Sequence, residues 1–516
     1  MSLAIVNSQA LYGVQGAPVR VEVHVGAGLP AFHIVGLPDV GVRESRERVR
    51  SAILSSGFEF PAGRVTVNLA PADLPKESGR FDLAIALGVL LASGQVQDAN
   101  GAPPDVSGHV VVGELSLTGA VVAVAAPLAL ALGVSNQQPN ASLIMPRAGS
   151  EQAAWVPNLA VWAVESLAQL VAQLAGKRAW QPATPAEICP PTAAVPCLSD
   201  VRGQQTARRA LEVVAAGAHS LLMCGPPGVG KSMLAQRLPG LLPPLSQQQV
   251  LEQAAVAALN SHSGQHDDGS QNSRGDLSDV PPFRAPHHSC SVPALVGGGS
   301  IPRPGEISLA HHGVLFLDEL PQFQSRVLES LREPIETGII TVARALRTHV
   351  FPANFLLVAA MNPCPCGWLG HSHRPCHCSP ERIRNYLSRI SGPLLDRIDL
   401  HMQLPALKSE WMDEPPGESS HTVRERVLLC RERQMHRQGC ANGRLTVAQI
   451  DQYCRLDTPA QTLLQTAMQR WGWSGRVVHR VLKIARTIAD MDAQNAIAKS
   501  HIAEAMQYRQ IGHMAP

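Results

Sequence analysis

Gly225-Pro226-Pro227-Gly228-Val229-Gly230-Lys231-Ser232 is a G-x-x-x-x-G-K-S loop. The apolar run Leu221-Leu222-Met223 precedes it, and a helix-compatible stretch, Met233 to Leu238, follows. That is the strand–loop–helix setting of a Walker A motif. Glycines let backbone N–H groups curl round phosphate oxygens, and a helix N-terminus adds partial positive charge. The spacing assigns Lys231 to the β- and γ-phosphates of ATP and Ser232 to Mg²⁺.

Downstream, Val314-Leu315-Phe316-Leu317 reads as a buried strand ending in Asp318-Glu319, a Walker B arrangement. Asp318 is expected to hold Mg²⁺, and Glu319 to polarise the attacking water. Another apolar strand, Phe355 to Met361, ends at Asn362, the place of a residue that orients that water (sensor 1). An ordinary turn-forming Asn before Pro363 is the alternative. Arg397, between Asp396 and Asp399, is a candidate arginine finger unless those acids hold it locally. Arg476, just after the N-cap residue Ser474 of a helix, is a candidate second γ-phosphate sensor (sensor 2) or an exposed helix-start cation.

The chain has 516 residues, enough for two to four domains, and 45% apolar content is ample for their cores. Its net charge of +2 means that any nucleic-acid surface must be local, and 4% aromatic content disfavours a groove of stacked rings. The N-terminus carries no secretory pattern. Val121 to Val134 is too short to cross a bilayer and reads as a buried helix or strand pair. The eleven cysteines, four of them clustered, suit reduced thiols and a metal in a cytoplasmic protein.

Strands are expected at Val19 to Val25, Val65 to Leu69, Val110 to Val112 and Ser142 to Met145, with a basic amphipathic helix over Val42 to Leu54. These place one α/β domain at residues 1–175. Residues 176–196, rich in Pro, Ala and Thr, read as a linker. The nucleotide-binding block covers 197–405 and includes a polar surface loop at Ser261 to Asp279; residues 406–516 read as helical. Six arginines between Arg424 and Arg444 face only Glu425 and Glu432 and read as a solvated basic face, with nucleic-acid contact as the alternative.

Over nearly its whole length the chain resembles the magnesium-chelatase-like AAA+ ATPases of the ComM/YifB type. The residues that carry this are Asp200-Val-Arg-Gly-Gln-Gln-Thr-Ala-Arg-Arg-Ala-Leu-Glu212, the Walker A loop, Pro286-His-His288, Pro304-Gly-Glu-Ile-Ser-Leu-Ala-His311, Leu317-Asp-Glu319, Ala359-Ala-Met-Asn-Pro-Cys364 and Gly392-Pro-Leu-Leu-Asp-Arg-Ile-Asp399. The resemblance implies an α/β fold: a Lon-protease-like (S5 D2-type) N-terminal domain, a P-loop AAA+ core with a parallel sheet and a C-terminal helical lid. It also implies a homo-hexameric, ATP-driven DNA motor. Such a branch-migration helicase acts on single-stranded, forked or branched DNA in natural transformation or recombination, with a recombinase as a partner and no membrane association. A chelatase subunit driving metal insertion and an ATP-dependent protease-like remodeller are the alternatives.

Two inserts are the expected pore-lining loops of such a ring. Arg284 to Glu306 carries His287 and His288, and a hairpin from Gly338 to Phe351 carries Arg344 and Arg347 near its tip. Those arginines contact phosphates or pair with acids of a neighbouring subunit. Cys364, Cys366, Cys376 and Cys378 form two C-x-C pairs suited to a closed structural Zn²⁺ site, with His371, His373 and His377 as alternative ligands. In the N-terminal domain, Leu74-Pro-Lys-Glu-Ser-Gly-Arg80 and Gly113-Glu-Leu-Ser-Leu-Thr-Gly119 resemble the Lon-type proteolytic domain, which uses a Ser–Lys dyad. In register, Arg80 takes the Ser position and the Lys position falls near Leu128; Ser78 is out of register. The domain is therefore expected to lack the dyad.

Overall fold

The computed structural model describes residues 2–12, 15–36, 40–72, 79–185, 195–260, 277–299, 302–344, 347–371, 374–406 and 413–509. The chain divides into two compact units, Met1–Cys189 with Val250–Leu277, and Pro190–Gln249 with Ser278–Pro516.

The first unit is built on a seven-stranded mixed sheet. Its strands are β1 (Ser2–Tyr12), β2 (Gln15–Gly26), β3 (Ala31–Val35), β4 (Arg64–Ala70), β5 (His109–Val111), β6 (Ser142–Pro146) and β7 (Val161–Val164), in the order β3-β4-β2-β1-β5-β6-β7. Alternation puts Val19, Val21 and Val23 of β2 and Val65, Val67 and Leu69 of β4 into the core, as period-two patterning requires. Helix α1 (Val40–Ser55) covers the expected basic amphipathic stretch, and α2 (Asp82–Ala92) is almost wholly buried. The apolar run from Val121 is neither one helix nor a strand pair. It forms a short strand, Val121–Val122, and then α3 (Pro127–Gln137), because Pro127 suits the first helical turn.

Two segments belong to this unit unexpectedly. Residues after Arg178 return along β7, where the Ala163 N–H bonds the Gln181 carbonyl and the Ala183 N–H bonds the Val161 carbonyl. Leu251, Ala254, Ala255 and Leu277 share a core with Leu130, Val134 and Leu143. Most of the polar loop expected after Ser261 lies outside the described residues.

The second unit centres on five parallel strands. β8 (Leu221–Cys224), β9 (Phe283–Arg284), β10 (Val314–Leu317), β13 (Leu356–Met361) and β14 (Leu400–Gln403) lie in the order β9-β10-β13-β8-β14. Every residue of β8, β10 and β13 is buried, which fits strands covered on both faces. A separate hairpin, β11 (Ile339–Arg344) with β12 (Arg347–Pro352), closes at the pair Arg344–Arg347. Helix α4 (Gln205–Gly217) shares the main core with α7 (Ser420–Gln438) and α8 (Gly475–Met491). Helix α5 (Lys231–Arg237) starts directly after the P-loop, and α6 (Gln247–Ala258) carries the chain into the first unit's core.

The expected solvated basic face on α7 is largely structural instead. Arg426 pairs with Glu212 and Glu418, Arg431 donates to the Ala215 carbonyl, and Arg437 forks onto Asp490. Packing of α7 between α4 and α8 leaves helix-end carbonyls and buried acids that need cations, and these arginines supply them.

At the N-terminal edge of the parallel sheet, Asp399 accepts from the Ser220 N–H (3.1 Å) and pairs with Arg480 of α8. Burial would raise this carboxyl. Arg480, His219 and Lys483 override burial and hold it well below the usual carboxylate range. Its stabilising contribution is therefore present above that range and lost as pH falls below it. Replacing Asp399 by Ala leaves Arg480 unpaired, and a loss of about 3–5 kcal/mol is expected in urea unfolding at neutral pH. A loss below about 1 kcal/mol would show that the pair is not what joins α8 to the sheet.

Candidate functional site

Three parallel strands end side by side. β8 leads into Gly225, β10 into Asp318 and β13 into Asn362, with Cys224 opposite Met361 and Leu317 opposite Ala359. The Gly225 N–H also bonds the Met361 carbonyl at 3.2 Å. The P-loop turns through left-handed conformations at Gly228 (φ 80°) and Gly230 (φ 85°), which favour glycine. A Cβ at Gly225 would lie 2.7 Å from the Leu404 carbonyl oxygen, so the loop also requires glycine for close approach.

Lys231 is buried, and its Nζ donates to Gly225 O (2.7 Å), Pro226 O (2.9 Å) and Asn362 Oδ1 (3.0 Å). Burial lowers the ammonium pKa, opposed by the charge of Asp318. Ser232 Oγ donates to Asp318 Oδ2 at 2.6 Å. This hydroxyl and carboxylate form an all-oxygen pair of the kind hard Mg²⁺ prefers. Glu319 is exposed and has a left-handed backbone (φ 53°), held by its own N–H bonded to Asp318 Oδ1 at 2.9 Å. Its carboxylate Oε2 lies 3.5 Å from His288 Nδ1. The structure thus gathers Lys231, Ser232, Asp318, Glu319 and Asn362 at one strand edge.

Arg397 and Arg476 lie elsewhere. The Arg397 carbonyl accepts from Ser220 Oγ (3.3 Å), ahead of β8 and at the opposite edge of the sheet. Its guanidinium bonds Glu336 Oε1 (2.8 Å) and Pro393 O (2.9 Å), whereas Asp399 is taken by Arg480. Arg476 is exposed in the first turn of α8, one turn before Arg480. His287 is exposed and stacks on His288 with ring centroids 4.0 Å apart. Arg344 and Arg347 form the last backbone pair of their hairpin.

Cys364, Cys366, Cys376 and Cys378 converge, with Sγ atoms all within 4.8 Å of one another. Four thiols at that spacing fit a closed tetrahedral Zn²⁺ site. His371 is engaged otherwise, since its Nδ1 accepts from the Arg374 N–H at 3.1 Å; His373 lies outside the described residues. The cluster abuts the P-loop: a Cβ on Gly367 would fall 2.7 Å from Pro227 Cδ. Sequence reasoning missed this contact, as it missed the His288–Glu319 pair. Neither leaves a spacing signal, because each joins loops from different strands.

In the first unit, Arg80 is buried and Leu128 is buried on α3. Arg80 and Gly113 meet, with the Gly113 N–H bonded to the Arg80 carbonyl at 2.8 Å. Beside them Asp82 pairs with Arg48 Nε at 2.7 Å. Ser78 lies outside the described residues.

Residues 197–412 match the family model described as magnesium chelatase, subunit ChlI. Residues 21–149 match the model for subunit ChlI of Mg-chelatase, and 417–509 that for the subunit ChlI C-terminal region. The chain is 44% identical over 516 residues to the uncharacterized protein YifB of Escherichia coli (strain K12), covering 100% of this chain and 98% of the relative. It is 44% identical over 517 residues to the competence protein ComM of Haemophilus influenzae, covering 99% and 98%. An uncharacterized protein of Mycobacterium tuberculosis (strain H37Rv) is 40% identical over 521 residues, with 99% of each covered. Likeness at this level along the whole chain, with the P-loop and Walker B strands flanking the strand that ends at Asn362, places the chain in the magnesium-chelatase-like family of ComM and YifB.

Proposed function

We propose that this chain is one subunit of a homo-hexameric, cytoplasmic ATPase that drives branch migration on forked or branched DNA. The observation that carries the reading is the division of the candidate ATPase residues between two edges of one sheet. Lys231, Ser232, Asp318, Glu319 and Asn362 share the C-terminal edge. Arg397 stands at the other edge, beside Ser220. A pocket missing its arginine is completed when a second copy presents that edge, and a closed ring satisfies every copy.

On this reading Lys231 exchanges its carbonyl partners for phosphate oxygens of ATP, and Asn362 orients the lytic water. Glu319 accepts that water's proton as its oxygen attacks the γ-phosphorus. ADP leaves with the bridging oxygen's electron pair. Ser232 and Asp318 hold Mg²⁺, which supplies positive charge to the phosphate oxygens. The hairpin ending at Arg344–Arg347 and the segment bearing His287 supply DNA contacts. A role in integrating incoming DNA is supported by the relative that bears the name competence protein. The chelatase reading is kept alive by the ChlI models that match three segments.

Lys231→Ala is expected to lose ATP binding and strand displacement. Glu319→Gln should keep binding and lose turnover by about a hundredfold or more. Stimulation of wild-type turnover by forked DNA supports the motor, whereas stimulation by a porphyrin-loading protein alone would favour the chelatase. Arg397→Ala alone should be inactive, and mixing it with Lys231→Ala should restore part of the turnover. Failure of the mixture would show that copies do not complete each other's pockets.

Zn²⁺ held by Cys364, Cys366, Cys376 and Cys378 would fix the loop that carries Gly367 against Pro227. Metal analysis should find about one zinc per chain. Cys366→Ser with Cys378→Ser should remove it and weaken ATP binding; full binding without metal would refute the link.

A further inference from the structure

We propose that the corner Trp471-Gly472-Trp473 is a base-stacking platform for single-stranded DNA. This rests on the reading of the chain as a motor on DNA. The helix Thr458–Trp471 ends at this corner, and α8 begins just beyond it. The two indoles lie together, with ring centroids 5.1 Å apart and planes 35° from parallel. Trp473 packs against the main core beside Leu463, Met468 and Val477, and both Trp471 and Trp473 remain partly exposed. Two indoles left partly in water at one corner, in a chain that has seven tryptophans, carry a cost that a stacking partner removes.

The corner is pinned on both sides. Gly472 takes a left-handed conformation (φ 61°) that ends the first helix, its N–H bonded to the Met468 carbonyl at 2.9 Å. Ser474 caps α8, its side chain accepting from the Val477 N–H. Rings held between two such anchors have little freedom left to lose when a ligand stacks on them, which favours binding.

The surroundings are cationic. From Thr458 to Ala489 the sequence contains no Asp or Glu. Within that stretch Arg480 is taken up by Asp399, Lys483 by the Gly443 carbonyl and Arg486 by Asp490. Arg470 and Arg476 flank the corner and are exposed, and among the described residues neither has a carboxylate partner. Aromatic faces beside free guanidinium groups match a strand whose bases are unstacked, since a base can cover a ring while its phosphates meet the arginines. Duplex DNA keeps its bases stacked on one another and offers the indoles no such face.

Fluorescence anisotropy of labelled oligonucleotides tests this on the full chain with a non-hydrolysable ATP analogue present. Trp471→Leu keeps an apolar side chain and removes the indole. It is expected to weaken binding of a single-stranded thymidine oligonucleotide about five- to hundredfold, the range of stacking on one ring, and to leave binding of an abasic oligonucleotide unchanged. Trp471→Tyr should recover most of the loss. Arg470→Ala should lower the slope of log affinity against log salt by about 0.7. The thermal midpoint and sedimentation of each variant report its fold and assembly. Wild-type affinity of Trp471→Leu for the thymidine strand, or equal losses on the thymidine and abasic strands, overturns the proposal. Loss of the assembly in Trp471→Leu overturns it too, and makes the corner a contact between copies. A wild-type chain that binds none of these strands, forked DNA included, sinks the DNA reading itself, a result distinct from the others.

Discussion

The Lys231 ammonium is the constraint from which the second unit is best understood. It is buried, yet it must stay charged to meet phosphates. Two carbonyls of its own loop and the side-chain oxygen of Asn362 satisfy it. That requires β8 and β13 to end level, and the pairing of Cys224 with Met361 makes them do so. β10, on the far side of β13, ends with Leu317 opposite Ala359, which delivers Asp318 to Ser232. The strands are buried on both faces, so their register is fixed by packing and hydrogen bonding together.

Much of this edge was legible in the sequence because each part is local. A glycine-rich loop between a strand and a helix, and an acid pair after an apolar run, announce themselves without tertiary information. Asn362 was legible for the same reason, as the polar residue at a strand tip. Contacts joining distant segments were not. His288 reads as one of a histidine pair in an insert, and nothing in its spacing points to Glu319. Leu251, Ala254 and Leu277 read as part of the nucleotide block but are buried among side chains of the first unit, because an apolar helix face is blind to which core it will enter. The arginines of α7 looked solvated because Glu212 and Asp490, which hold Arg426 and Arg437, lie on other helices.

The first unit makes a similar point about charge. A Ser–Lys dyad needs a desolvated amine that can give up its proton. Leu128 supplies no titratable group, and the region around Arg80 instead buries the Arg48–Asp82 pair. Burial raises the Asp82 carboxyl, and the hydrogen bond from Arg48 pulls it back. Such a pair holds α1 to α2 and is costly to disturb, since removal of either partner leaves a charge without its counterion.

Two neighbouring short strands, β8 and β14, run between the two edges of the parallel sheet beside the P-loop. β14 begins just after Asp399, which is locked to Ser220 and Arg480, and ends just before Leu404. The Leu404 N–H bonds the Cys224 carbonyl at 2.7 Å, and Leu404 O lies where a Cβ on Gly225 would clash. Four residues of extended chain therefore separate Asp399 from Leu404, a span of five residue steps or roughly 16 Å. Extended, buried except at Gln403 and paired along its length with β8, this strand has little room to buckle. Arg397 lies two residues before Asp399, so a force on its guanidinium reaches the lock through three residues of backbone. Along the backbone, Arg397 therefore stands nearer to the Asp399–Arg480 pair than to the P-loop.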